Sequence, residues 1–160
     1  MSVLPLAAVI TISDGVAAGE RDDGSGDALE TMLTDAGFSV SRDLVPDEAD
    51  RISAAILSAA TAHQLVVTTG GTGFGVRDVT PEATAAILER TAPGLVQTMI
   101  ARGLEATPMA ALTRGTAGTV GNALVVNLPG SPKGATENLA AILELIPHII
   151  QLLSGDNRHH

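Results

Sequence analysis

The sequence contains no Cys, Trp or Tyr, only two Phe (Phe38 and Phe74) and a single Lys, Lys133. Each scarcity removes a class of function. Without Cys there is no disulfide framework, no thiolate zinc site and no thiol nucleophile. With so few aromatics there is no platform on which the bases of a single strand could stack, and the core falls to Ala, Val, Ile and Leu. Positive charge is also short: nine Lys and Arg stand against 18 Asp and Glu, a formal net charge of −9. Counterion release needs clustered cations, so neither nucleic acid nor an anionic membrane is expected as a partner. A small phosphorylated ligand stays open, because backbone N–H groups and a few Arg act within the screening length of about 8 Å. No apolar run approaches the ~20 residues that span a bilayer, and no basic segment precedes the first such run, Leu4 to Ile12. A cytoplasmic location is the expectation.

What is present is enough apolar material to fold. Hydrophobic residues make up 45% of 160, with 17 Gly and eight Pro to turn the chain. That length fits one domain, residues 1–154, followed by a mobile tail over 155–160. His159 and His160, native or a tag remnant, carry no argument.

Leu6 to Ile12 is a continuous β-branched run and reads as a strand buried on both faces, ending at Ser13-Asp14-Gly15. Ala28, Leu29, Met32, Leu33 and Ala36 recur at helical spacing, with Gly37 where a left-handed cap belongs. Phe38 to Leu44 reads as a second strand. Pro46-Asp47 leads into a helix with Ile52, Ile56 and Leu57 on its apolar face. Leu65 to Thr69 is another buried strand, followed by the glycine-rich stretch Gly70 to Gly75 and a helix with Thr80 suited to its N-cap and Pro81 to its first turn. A further helix is predicted from Pro93 to Leu104, then a glycine-rich stretch from Gly115 to Gly121, a strand from Ala123 to Leu128, and a last helical region that Pro147 divides. This alternation predicts an α/β fold: a three-layer, mostly parallel sheet flanked by helices.

In such sheets ligands bind beyond the carboxyl ends of strands. Ser13-Asp14-Gly15, Gly70 to Gly75 and Pro129-Gly130-Ser131 each follow a predicted strand and could converge there. Gly70-Gly71-Thr72-Gly73 suits an anion, since glycines let backbone N–H groups approach phosphate oxygens; a tight turn without a ligand is the competing reading. The P-loop and dinucleotide spacings are both absent. Arg77-Asp78, just beyond the glycines, adds a phosphate-pairing fork and a hard oxygen ligand, a pair that suits a magnesium nucleotide. Asp47 serves equally well as an N-cap or as a metal or substrate ligand, and Thr80 is read as a cap. Lys133, beside Pro129 to Pro132, divides evenly between a site residue and a solvated surface lysine. His63 and His148 lack metal-ligand spacing, and Ser13 and Ser131 have no motif-placed histidine, so neither zinc nor a Ser-His-Asp triad is implied.

The long segment Thr69-Gly70-Gly71-Thr72-Gly73-Phe74-Gly75-Val76-Arg77-Asp78-Val79-Thr80-Pro81-Glu82-Ala83 closely resembles the Mog and MoaB-type adenylyltransferases of the molybdopterin-binding fold family. The likeness extends through Thr11 to Asp14, Asp22 to Gly26, Val45 to Glu48, Leu112 to Arg114 and Leu128 to Lys133. The resemblance implies a role in molybdenum cofactor biosynthesis: Mg2+- and ATP-dependent adenylylation of molybdopterin, giving adenylyl-molybdopterin and pyrophosphate. It further implies a homotrimer, or a hexamer as in the MoaB branch that Asp22 to Gly26 resembles, and a molybdenum-insertion protein as the downstream partner. By the same resemblance Asp47 and Asp78 are catalytic or magnesium-associated carboxylates. Gly70, Gly71, Thr72 and Gly73 form the nucleotide and phosphate loop, and Ser13, Asp14, Ser131 and Lys133 belong to surrounding pocket segments. Arg77-Asp78 is intact here, whereas some relatives of the MoaB kind lack it. That favours a working enzyme, with a non-catalytic molybdopterin-binding carrier as the alternative.

Overall fold

The computed structural model describes residues 3–155; residues 156–160 of the expected tail lie outside them. Four strands are parallel: β1 (Leu6–Ile12), β2 (Ser39–Val45), β3 (Leu65–Thr69) and β6 (Ala123–Leu128). Two short antiparallel strands, β4 (Arg90–Thr91) and β5 (Ala117–Val120), extend one edge, giving the order β2-β1-β3-β6-β5-β4. The helices are α1 (Asp14–Ala17), α2 (Gly24–Asp35), α3 (Ala49–Ala60), α4 (Thr80–Ala85), α5 (Pro93–Leu104), α6 (Pro132–Ile142) and α7 (Ile146–Leu153). None of the described helices is long and apolar enough to cross a membrane.

The period-2 alternation of β1 builds two cores. Ala7 and Val9 face Leu29 and Leu33 of α2 and Leu139 and Ile142 of α6, while Ala8, Ile10 and Ile12 face Ile52 and Ile56 of α3. Both faces are covered, as continuous apolar strands require, and each fully buried Leu or Ile contributes about 1.5–3 kcal/mol.

Several boundaries differ from expectation, each for a local reason. Phe38 is buried just ahead of β2 rather than inside it. Leu57 is 43% exposed, because Ile52 and Ile56 already fill the narrow stripe of α3 that meets the sheet. The stretch from Gly115 to Gly121 contains β5, whose Ala117, Gly118 and Thr119 are buried; it pairs back onto β6 through a tight turn with Gly121 at φ +58°. Gly37 has the expected left-handed φ of +99°. Pro147 does divide the last helical region, lying in the first turn of α7 after a 3-10 turn over Leu143–Leu145.

Candidate functional site

Four loops leave the carboxyl ends of β1, β2, β3 and β6 on one side of the sheet. β2 lies to one side of β1 and β3 to the other, so the chain reverses its order of winding at β1, where a crevice opens above the sheet.

Asp14 ties three of these loops together. Its N–H donates to Asp47 Oδ2 at 2.9 Å, and the Asp47 N–H donates back to Asp14 Oδ1 at 3.0 Å. Arg77 then grips the same carboxylate, Nε to Oδ2 at 3.0 Å and Nη2 to Oδ1 at 3.1 Å. The Arg77 guanidinium holds the Asp14 carboxyl below its ordinary value.

Asp47 is placed differently. It is no helix cap: Glu48 occupies the N-cap of α3. Its Oδ1 is buried without a hydrogen-bond partner, while Oδ2 accepts from Asp14. Burial pushes its carboxyl up, and the Asp14 and Asp78 charges push the same way against the Asp14 N–H. Directly above lies Gly71, with φ +70°; a Cβ there would stand 3.0 Å from Asp47 Oδ1 and would overlap Thr80 Oγ1. A left-handed glycine is therefore what lets the loop pack this closely against Thr80 and an orphaned carboxylate oxygen.

Thr80 is likewise not a cap. It is the first residue of α4, and its Oγ1 donates to the Gly70 carbonyl at 2.9 Å while its N–H donates to Gly71 O at 3.1 Å. Ser13 does cap a helix, accepting from Val16 N at the start of α1, and Ser131 caps α6 through Gly134 N at 3.0 Å. Asp78 Oδ2 accepts from Gly75 N at 2.8 Å, which turns the loop and fixes the carboxylate. The loops after β3 and β6 are joined through Thr69 Oγ1, which donates to Pro129 O at 2.7 Å.

These loops enclose two adjoining clefts rather than one crevice. The first, about 470 Å3, takes Gly71, Thr72, Gly73 and Asp78 from the loop after β3, Pro129, Gly130 and Ser131 from the loop after β6, and Leu112 and Thr113 opposite. The second, about 550 Å3, takes Ser13, Arg21, Asp22, Gly70, Gly71, Gly130 and Ser131. Gly71, Gly130 and Ser131 line both and form the shared wall. Asp14, Asp47, Arg77 and Lys133 line neither cleft: the first three knit the loops from behind, and Lys133 is exposed in the first turn of α6.

Among the described residues no group of three or more His, Cys, Asp or Glu side chains comes together as a metal site. The carboxylates around the clefts also include Asp22; Asp47 and Asp78 lie close enough for the Asp78 charge to push the Asp47 carboxyl up. One or two carboxylates completed by phosphate oxygens and water is the usual protein share of a Mg2+ site, and the unpartnered Asp47 oxygen fits that demand.

Two residues that matter here are missing from the expected site. Asn127, 3% exposed, donates to Thr68 Oγ1 and Thr84 Oγ1, both at 3.0 Å, and accepts from Thr116 N, locking α4 and β6 to β3. Its signal was a lone amide inside an apolar strand. Arg114 reaches around the glycine-rich loop, with Nε to Gly73 O at 2.7 Å and Nη2 to Asp78 O at 2.8 Å. These contacts span 41 and 36 residues, out of reach of local patterning.

Comparison with known proteins agrees with this arrangement. The family described as "Probable molybdopterin binding domain" matches residues 8–148. The molybdopterin adenylyltransferase of Helicobacter pylori strain J99 is 36% identical over 153 residues, 92% of this chain and 87% of that protein. The molybdenum cofactor synthesis protein cinnamon of Drosophila melanogaster is 40% identical over 152 residues, 92% of this chain but only 25% of its own length. Among solved structures, the molybdopterin biosynthesis enzyme MoaB of Thermus thermophilus is similar with a TM-score of 0.89 and 44% identity, covering 95% of this chain and 98% of that one. With the fold, the loop signature and matches of this extent in agreement, the chain belongs to the molybdopterin-binding domain family, whose matched members are named for molybdenum cofactor biosynthesis.

Proposed function

We propose that this chain is a molybdopterin adenylyltransferase, joining AMP from Mg-ATP to the terminal phosphate of molybdopterin. The observation that carries the reading is the shared wall: two clefts sized for separate small molecules meet at Gly71, Gly130 and Ser131, with Asp78 in one cleft and the unpartnered Asp47 oxygen against Gly71. A two-substrate transfer needs such a meeting point, and a carrier for one ligand does not. The relative named molybdopterin adenylyltransferase supports the choice of substrates.

In the reaction, a molybdopterin phosphate oxygen attacks the α-phosphorus of ATP. The new P–O bond forms as the bond to the α–β bridging oxygen breaks, and the electron pair leaves with pyrophosphate. The attacking oxygen is already anionic at neutral pH, so no general base is required, and the protein's work is positioning and charge compensation. The Gly70 N–H is engaged by the Leu128 carbonyl at 3.2 Å, so Gly71, Thr72 and Gly73 are the residues whose backbone N–H groups meet phosphate oxygens. Asp47 and Asp78 are the residues that would hold a Mg2+ ion, which would supply charge compensation for the departing pyrophosphate. Asp14 and Arg77 keep Asp47 and the glycine-rich loop aligned. Ser131 and Gly130 keep the shared wall thin, which lets the two phosphates approach.

The reading places the protein in the cytoplasm as a homotrimer or hexamer that hands its product to a molybdenum-insertion protein. That a relative is named as a bifunctional molybdenum cofactor biosynthesis protein supports a second activity beside this one. Light scattering of the purified protein tests the assembly; a monomer at micromolar concentration would contradict that part. The activity itself is tested by following pyrophosphate release from Mg-ATP with and without molybdopterin, together with the mass of the product. Release that depends on molybdopterin and yields the adenylylated pterin is expected. Tight molybdopterin binding without release would instead establish the carrier.

A further inference from the structure

The glycine-rich loop has little of its own to hold it in shape. Phe74 is 74% exposed and Val76 is 99% exposed, so the loop makes no apolar anchor at its tip. Beside the Arg77–Asp14 pair and the Gly75–Asp78 turn, it is held by one guanidinium from the opposite wall. Arg114 donates Nε to Gly73 O at 2.7 Å and Nη2 to Asp78 O at 2.8 Å, and its backbone N–H donates to Thr72 O at 2.8 Å. The remaining fork pairs with Glu82 of α4, Nη1 to Oε2 at 2.7 Å and Nη2 to Oε1 at 3.3 Å. The exposed Phe74 ring lies over the guanidinium, its centroid 5.6 Å from Cζ. The contact with Glu82 raises the Arg114 guanidinium further and holds the Glu82 carboxyl below its ordinary value.

A planar fork is the only side chain that reaches two loop carbonyls and a carboxylate at once; a lysine ammonium offers a point charge without that geometry. The consequence bears on the reacting groups. Arg114 follows Leu112 and Thr113, which line the first cleft, and it grips both ends of the loop that presents Gly73 and Asp78 to that cleft from the other side. Asp78 is held twice, its carboxylate by Gly75 N–H and its carbonyl by Arg114. We propose that Arg114 is a positioning residue that sets the distance between the two walls of the first cleft and holds Asp78 where the transfer requires it, with Glu82 aligning the guanidinium and Phe74 shielding it from water. It touches neither substrate; it acts through Asp78 and the loop carbonyls.

This inference rests on the adenylyl-transfer reading, and its test separates the two. Amide hydrogen exchange of the substrate-free protein reports on the loop whatever the protein catalyses. In Arg114→Ala, the Gly75 and Asp78 amides should exchange at least about 10-fold faster, with strand amides of β1 and β3 unchanged. Under transfer conditions, kcat should fall about 100-fold, the cost typical of a misplaced reacting group, while KM for molybdopterin moves less than about threefold. Added guanidinium ion should restore at least about 10-fold of the lost kcat in Arg114→Ala, and Arg114→Lys should remain close to Ala. Loop exchange unchanged in Arg114→Ala overturns the proposal, as does full activity in Arg114→Lys. Faster exchange spread evenly over the strands overturns it too, since that marks a general loss of stability. A wild type that releases no pyrophosphate defeats the transferase reading while leaving the exchange result to stand on its own.

Discussion

At the scale of single residues, the site is marked by groups kept in conditions a stable fold would avoid. Asp47 is the clearest. Its folded carboxyl is pushed up by burial first and by the nearby Asp14 and Asp78 charges, so ionising it costs stability. Between the ordinary aspartate value and the raised one, the folded state binds more protons than the unfolded chain. Stability therefore falls as pH rises through that window, and the whole deficit persists at neutral pH. Asp14 has the opposite sign: its lowered carboxyl, set mainly by Arg77, contributes stability above the unfolded value that is lost as pH falls through the folded one. Asp47→Asn should thus raise the melting temperature at pH 7, with the advantage disappearing toward the acid range, while turnover drops by at least about 100-fold. Calorimetry across pH beside the transfer assay checks both; a variant destabilised at pH 7 would show that the buried charge is better accommodated than this account holds.

Local sequence reasoning reached such residues but mistook some of their work. Asp47 and Thr80 both precede or begin helices and so resemble caps, yet their oxygens are used across 33 and 10 residues. Ser13 and Ser131, read only as pocket residues, do cap helices. Nearness to a helix start is a local property and legible in a sequence; whether the side chain there caps the helix or ties two loops is not.

At the scale of elements, the strands that β-branched runs announced are the ones that stand, because β1, β3 and β6 are buried on both faces and need no partner polarity to define them. β5 was hidden by its glycine and its threonine, and β4 has only two residues, so the antiparallel edge could not be read. The turn from β3 into α4 has a testable support. Thr80 is fully buried and its hydroxyl satisfies the Gly70 carbonyl. Thr80→Val keeps the shape but leaves that carbonyl unpaired, costing about 1–3 kcal/mol, or a fall of about 2–10 °C in melting temperature. Thr80→Ser, which keeps the hydroxyl, should lose less than half as much. Equal losses would mean that packing rather than the hydrogen bond secures the turn.

At the scale of the whole molecule, the proposed transfer between two phosphorylated substrates requires a chain of net charge −9 to compensate charge locally. The described arginines near the site are largely engaged with the protein itself: Arg77 with Asp14, and Arg114 with Glu82 and the loop. In the proposed reaction, backbone N–H groups and Arg21, which lines the second cleft and donates to Ser13 Oγ, would meet phosphate, and the pair of carboxylates around the shared wall would act through a cation, with Asp78 the member that faces a cleft. The most direct measurement is single-turnover formation of adenylyl-molybdopterin by wild type and by Asp78→Ala, alongside molybdopterin binding and melting temperature for each. The account predicts molybdopterin-dependent product from the wild type, and from the variant an unchanged fold, binding within about threefold and a rate at least about 100-fold lower. Equal rates from the two proteins would contradict it.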